Sequence, residues 1–150
     1  MSLPDIRRLV PHSDRMVLLD RIVAADRESL CAETIVREDS LFYSDGGVGA
    51  WVGLEYMAQT IAAYAGYLAY LRGEPIKPGF VLGTRRFESL GSMFPLGSVL
   101  RIYATRVLQN DSGLGSFDCR IETTGGTLAT ASLTVYQPAD IDDFFQRDRK

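Results

Sequence analysis

His12 and Glu55 are the residues of this chain whose types could carry out proton chemistry together. His12 is the only histidine among 150 residues, and it follows a proline in the stretch "LVPHSDRMVLLDRI". An imidazole titrates near neutral pH, so it can accept or donate a proton. Glu55 is the only charge in a long apolar stretch, where a neutral carboxyl could act as an acid. The pair predicts general acid–base catalysis, whereas either residue alone is more often structural.

Gln59 could support Glu55, because residues four apart lie about 40° from each other around a helix. Its side-chain amide could then bind and orient the carboxyl. Other residues share this face and are mostly small: Val48, Val52, Ala62 and Gly66. We expect another backbone or a ligand to approach the helix closely here.

The stretch "SDGGVGAW" precedes Glu55 and brings Gly49 and Ala50 to the start of the predicted helix. The first N–H groups of a helix have no acceptor within it, and they can stabilise a developing oxyanion. The alternative is a glycine-rich loop with no role beyond starting the helix. The spacing does not match a dinucleotide-binding fingerprint.

The composition excludes several classes of function. One histidine and two isolated cysteines, Cys31 and Cys119, predict no metal site and no disulfide, so both thiols are expected to be buried and reduced. The net charge of −3 argues against general binding to nucleic acids or anionic membranes. Without an apolar signal sequence, a cytoplasmic location is the default expectation.

The longest predicted element is a helix over Val48–Leu71, with one charge and no proline. Its length suits a membrane span, but Glu55, Gln59 and Thr60 near its middle favour the buried centre of a globular domain.

Strands should surround this helix. Alternating apolar residues and turn signals predict strands at Met16–Ala24, Leu30–Arg37, Phe80–Leu90, Val99–Leu108, Leu114–Glu122 and Leu128–Tyr136. Gly125-Gly126 supplies a hairpin turn between the last two. We therefore predict one α+β domain over residues 1–150: a long buried helix wrapped by a curled antiparallel sheet, with the last four strands as a meander.

The motifs resemble those of the hotdog-fold 3-hydroxyacyl-(acyl carrier protein) dehydratases. "PHSDRMVLLDRI" is similar to their Pro-His opening, and "GLEYMAQTIAAYAG" is similar to their helix, where Glu precedes "MAQ". "GFVLGTRRFES", "FPLGS" and "YQP" resemble the branch linked to aryl polyene biosynthesis. The resemblance runs from about Leu9 to Pro138, but the loop "FYSDGGVGAW" lacks the second His and the prolines of the common family members.

By this resemblance, His12 is the catalytic histidine, Glu55 is the catalytic acid and the Ala50 amide, beside Gly49, binds the thioester carbonyl. The implied reaction converts 3-hydroxyacyl thioesters on acyl carrier protein into trans-2-enoyl thioesters, in fatty acid or aryl polyene synthesis. No cofactor is expected, since the phosphopantetheine arm belongs to the substrate. The family also implies a homodimer, or a heterodimer with a paralogue, in which His12 and Glu55 face each other between two chains.

Two alternatives remain open. A hotdog acyl thioesterase uses a helix carboxylate but can dispense with Pro-His. The altered loop also fits a non-catalytic partner of an active paralogous dehydratase.

Overall fold

The computed structural model, which describes residues 3–10, 16–76 and 79–137, has one long helix lying against an antiparallel sheet. The helix, α1, spans Gly53–Arg72 and ends at Gly73 in a left-handed conformation that glycine adopts readily. Short 3-10 helices span Ile6–Arg8 and Ala50–Val52. The strands are β1 (Arg21–Ala25), β2 (Ser29–Ile35), β3 (Tyr43–Ser44), β4 (Gly47–Gly49), β5 (Phe80–Ser89), β6 (Met93–Pro95), β7 (Val99–Gln109), β8 (Leu114–Thr123) and β9 (Gly126–Tyr136).

Six strands form the main sheet in the order β1-β2-β7-β8-β9-β5. The predicted meander is correct for β7, β8 and β9 and wrong for β5. Instead of pairing with β7, β5 pairs with β9 at the far edge, from Phe80 opposite Tyr136 to Ser89 opposite Ala129. Strand β7 pairs with β2, which joins the strands before and after the helix into one sheet.

The predicted helix start at Val48 is also wrong, because Gly47–Gly49 forms strand β4. This strand pairs with β3 on one side and β6 on the other, in a second, three-stranded sheet. The Ala50 N–H extends the β4–β6 ladder by donating to the Ser92 carbonyl at 2.9 Å. One 3-10 turn then leads into α1 at Gly53.

The core lies between the helix and the inner face of the main sheet. On β7 and β8 the burial alternates, so Ile102 and Ala104 face the helix with Phe117, Cys119 and Ile121. Cys119 and Cys31 are buried free thiols, as predicted. The helix is less enclosed than predicted, since one side of it is only half-buried. The residues of that side include Ala58, Ala62, Ala65, Leu68 and Ala69.

The N-terminal segment crosses α1 at Gly66. A Cβ atom on Gly66 would lie 2.0 Å from the Leu9 carbonyl oxygen and 2.9 Å from the Leu9 Cα. Only glycine admits so close a backbone approach. Ile6, Leu9 and Val10 are buried at this crossing. The predicted close approach to this face of the helix is confirmed.

No helix among the described residues is long and apolar enough to cross a lipid bilayer.

Candidate active site

Gln59 holds the candidate acid and the chain before β1 together. Its Nε2 donates to the Glu55 Oε1 at 3.1 Å and to the Met16 carbonyl at 2.7 Å. Its Oε1 accepts from the Leu18 N–H at 2.8 Å. The side chain is fully buried, so these bonds satisfy an amide that has no access to water. The planar amide of Gln59 therefore holds both the Glu55 carboxyl and the backbone at Met16 and Leu18, which leads into β1.

Glu55 lies in the first turn of α1 and is half-buried. The bond from Gln59 restricts the orientation of its carboxyl. The predicted contact between Gln59 and Glu55 is present, and the supporting role of Gln59 in catalysis stays a prediction.

His12 lies outside the described residues. Met16, four residues later in the sequence, is the backbone group that Gln59 holds. The same amide therefore binds the Met16 carbonyl and the Glu55 carboxyl.

Gly49 ends β4 and Ala50 begins the 3-10 turn that leads into α1, and the Ala50 N–H is already used. It donates to the Ser92 carbonyl, and no side chain caps either helical segment that follows. Gly49 is covered by Trp51, because a Cβ atom there would lie 2.4 Å from the indole Nε1. The next N–H, that of Trp51, has no acceptor within its own 3-10 turn.

Tyr56 follows Glu55 in sequence but faces the core, where its ring contacts Phe94. Burial, with a smaller contribution from the charge of Asp20, raises the pKa of Tyr56 to about 12. The phenol is therefore a weaker proton donor than an ordinary tyrosine at physiological pH.

An apolar groove of about 220 Å³ runs along the half-buried side of α1. It begins at Ala58, one turn after Glu55, and continues past Ala62, Ala65 and Ala69. Opposite these alanines lie Val81, Gly115, Phe117 and Val135 from the sheet. Polar side chains line its other end: Arg72, Glu74, Arg106, Gln109 and Gln137. We define this space as the alanine groove.

Arg106 was missed by the sequence reasoning, although the sequence carries a signal for it. It is in phase with Leu100, Ile102 and Ala104 on β7, and these three are fully buried on the inner face. The same alternation therefore predicts a charged side chain at an inward-facing position, which is uncommon unless it serves a site.

Among the described residues, no three His, Cys, Asp or Glu side chains come together as a metal site.

The sequence model of the ApeP-like dehydratases, described as "ApeP dehydratase", matches residues 4–146. The chain belongs to the ApeP-like dehydratase family. This confirms the predicted relationship to the hotdog dehydratases of the aryl polyene branch. No curated protein matches the chain.

Solved structures confirm the hotdog fold for this ApeP-like dehydratase. The dehydratase heterocomplex ApeI:P from Xenorhabdus doucetiae superposes with a TM-score of 0.90 at 29% identity, covering 99% of this chain and 100% of the other. A hypothetical thioesterase with coenzyme A from Streptococcus pneumoniae TIGR4 has a TM-score of 0.62 at 18% identity, covering 78% of this chain and 84% of the other. The protein smu.793 from Streptococcus mutans UA159, bound to acetyl CoA, superposes with a TM-score of 0.60 at 15% identity, covering 77% of this chain and 86% of the other. These two show a shared fold only.

Proposed function

We propose that the protein dehydrates 3-hydroxyacyl thioesters carried on acyl carrier protein to trans-2-enoyl thioesters, in fatty acid or aryl polyene type synthesis. The observation that carries the proposal is the Glu55 carboxyl, held by Gln59 at the beginning of an apolar groove in a member of a dehydratase family. An acid beside an acyl-sized groove suits a substrate whose reacting carbons are followed by a long apolar chain.

In the proposed reaction, His12 removes the proton from C2, and electron density moves towards the thioester carbonyl. The bond between C3 and its hydroxyl then breaks as Glu55 donates a proton, so that water leaves and the C2–C3 double bond forms. His12 ends protonated and Glu55 ends ionised, and exchange with solvent restores both. The thioester itself acidifies C2, so the proposal requires no cofactor.

The thioester carbonyl needs a hydrogen-bond donor as it gains negative charge. The resemblance assigns Ala50 to this role, beside Gly49. Because the Ala50 N–H donates to Ser92, we propose that the carbonyl either displaces Ser92 or binds the adjacent Trp51 N–H.

A second hotdog chain, either another copy or a paralogue, is the proposed assembly partner. The relative from Xenorhabdus doucetiae is a heterocomplex. In the present chain, β5 is an edge strand whose Val81 and Leu82 are 47% and 59% exposed. An exposed apolar edge strand favours pairing with another chain.

The test is the interconversion of 3-hydroxyacyl and trans-2-enoyl thioesters, followed by the absorbance of the conjugated enoyl group. Glu55→Gln is nearly isosteric but cannot donate the proton, so the rate should fall by about 10²-fold or more while the fold persists. Glu38→Gln, at an exposed position away from the groove, is the matched control and should keep the wild-type rate.

Release of free thiol without enoyl formation would favour the thioesterase alternative. Absence of turnover that is restored by adding a paralogous dehydratase chain would favour a partner subunit.

A further inference from the structure

We propose that Arg106 is a specificity-determining residue, whose guanidinium binds an oxygen atom at the distal end of an acyl chain lying in the alanine groove. This inference rests on the proposed function, since it takes the groove to hold the acyl chain. The ligand chemistry is a chain ending in a hydrogen-bond acceptor, such as a hydroxyl, phenol or carboxylate oxygen.

The position of Arg106 is the first observation. It faces inward on β7, directly opposite Phe117 of β8, and it is half-buried. The β7–β8 register shifts between Arg106 and Leu108, a bulge that redirects side chains at the end of a strand. A charged side chain pointing inward from a central strand needs polar partners.

The donors of Arg106 are the second observation. A guanidinium has five N–H donors, and in the structure Nη1 donates to the Gln109 Oε1 at 3.2 Å. Gln109 is exposed, so a ligand oxygen can compete with this bond. Arg72 lies at the same end of the groove, which therefore has two cations and one anion, Glu74. This excess of donors favours an oxygen over a methyl group.

The length of the groove is the third observation. Ala58 and Ala69 are eleven residues apart, so the apolar stripe is about 16 Å long at 1.5 Å per residue. An extended chain advances about 1.2 Å per bond, so the stripe matches roughly 13 chain bonds. Shorter substrates would end among the alanines, and only longer ones would reach Arg106.

The experiment compares three trans-2-enoyl thioesters of equal length, about 16 chain atoms. They end in a methyl group, a hydroxyl group and a carboxylate. For the wild type, we expect kcat/KM to be about tenfold or more higher for the oxygen-ended members, the range in which one hydrogen bond to a charged group acts. Arg106→Met keeps the apolar stem and removes the donors, so it should abolish the preference by slowing only the oxygen-ended substrates. Arg8→Met, at an exposed arginine outside the groove, should keep the preference for oxygen-ended substrates.

A second variant tests occupancy of the groove. A Cβ atom on Gly115 would make ordinary contacts of 3.4 Å or more, so Gly115→Ala should fold and narrow the groove. It should slow long substrates and leave four-carbon substrates unchanged.

Turnover without an end-group preference, or a preference that survives in Arg106→Met, would overturn the inference and leave the proposed function standing. If no thioester is converted, the dissociation constants of the same three thioesters are compared by calorimetry. A preference in binding that Arg106→Met removes would support the inference while the proposed function fails. Equal binding, or none, would overturn the inference too.

Discussion

At the scale of single residues, the candidate site depends on Gln59, because one buried amide holds the acid and two backbone groups. Gln59→Leu has a similar size but leaves the Met16 carbonyl and the Leu18 N–H without their partner. We expect the free energy of unfolding to fall by about 2–4 kcal/mol, since unsatisfied buried polar groups cost about 1–3 kcal/mol each. Urea denaturation measures this loss.

Gln109→Leu is the control, because this glutamine is exposed, and it should change stability by less than about 0.5 kcal/mol. A stable Gln59→Leu protein with full dehydratase activity would show that the amide neither supports the fold nor orients Glu55.

Cys119 should make stability depend on alkaline pH. Burial raises the pKa of its thiol from 9.0 to about 12, so the folded protein keeps a proton that the unfolded chain loses above pH 9. The unfolded state then binds fewer protons, and stability falls as pH rises. Between pH 9 and pH 11, the wild type should lose about 2 kcal/mol more than Cys119→Ala. Urea unfolding at each pH measures both proteins, and parallel pH profiles would contradict the linkage.

At this scale the sequence predicted the types of the site residues better than their bonds. The spacing from Glu55 to Gln59 was enough to predict their contact, because it depends only on helix geometry. The bonds from Gln59 to Met16 and Leu18 join residues more than forty positions apart, and no local pattern encodes them. The bond from Ala50 to Ser92 is equally non-local, so the sequence could not show that this amide is in use.

At the scale of elements, the crossing of the N-terminal segment over α1 depends on one missing methyl group. In an exposed helix, Gly→Ala stabilises by about 1 kcal/mol. Gly66→Ala should instead destabilise the protein by about 2 kcal/mol or more, because the added Cβ meets the Leu9 backbone rather than a movable side chain. Thermal unfolding compares this variant with Gly83→Ala, where the space around the new methyl is open.

Equal melting temperatures for the two variants would mean that the segment from Ile6 to Leu9 moves aside without cost.

Periodicity located most elements and failed where pairing decides the structure. The segment Gly47–Gly49 lacks a strand pattern of its own and becomes a strand because Met93–Pro95 pairs with it. The residues of β5 do not favour one neighbouring strand over another, so its place beside β9 could not be read from them. The hairpin from β8 to β9 was predicted, since a glycine-rich turn fixes it locally, although Gly126 already begins β9.

At the scale of the whole molecule, the proposed two-chain assembly decides how many chains build one site. The resemblance implies that His12 and Glu55 come from different chains. In a two-fold symmetric dimer each chain then supplies one of the two residues to each site, and the two sites are equivalent.

We therefore expect that a His12→Ala chain and a Glu55→Gln chain, unfolded and refolded together, recover dehydratase activity in their mixed dimers, at about a quarter of all sites. Mass measurement of the mixed dimers and refolded wild type are the controls. If both residues came from the same chain, every site in every dimer would lack one of them. No recovered activity in confirmed mixed dimers would therefore contradict the cross-chain arrangement.

The position of β5 at the edge of the main sheet has a consequence for synthesis on the ribosome. Tyr136, the partner of Phe80, is 56 residues further along the chain. At about 5–20 residues per second, β5 waits roughly 3–11 s for β9 after it has been translated. During this interval β5 lacks its one neighbour in the sheet, and β9 does not yet cover the groove side of α1. Nascent chains stalled before Gly126 should therefore be cleaved readily by proteases, and chains that extend past Gln137 should resist them.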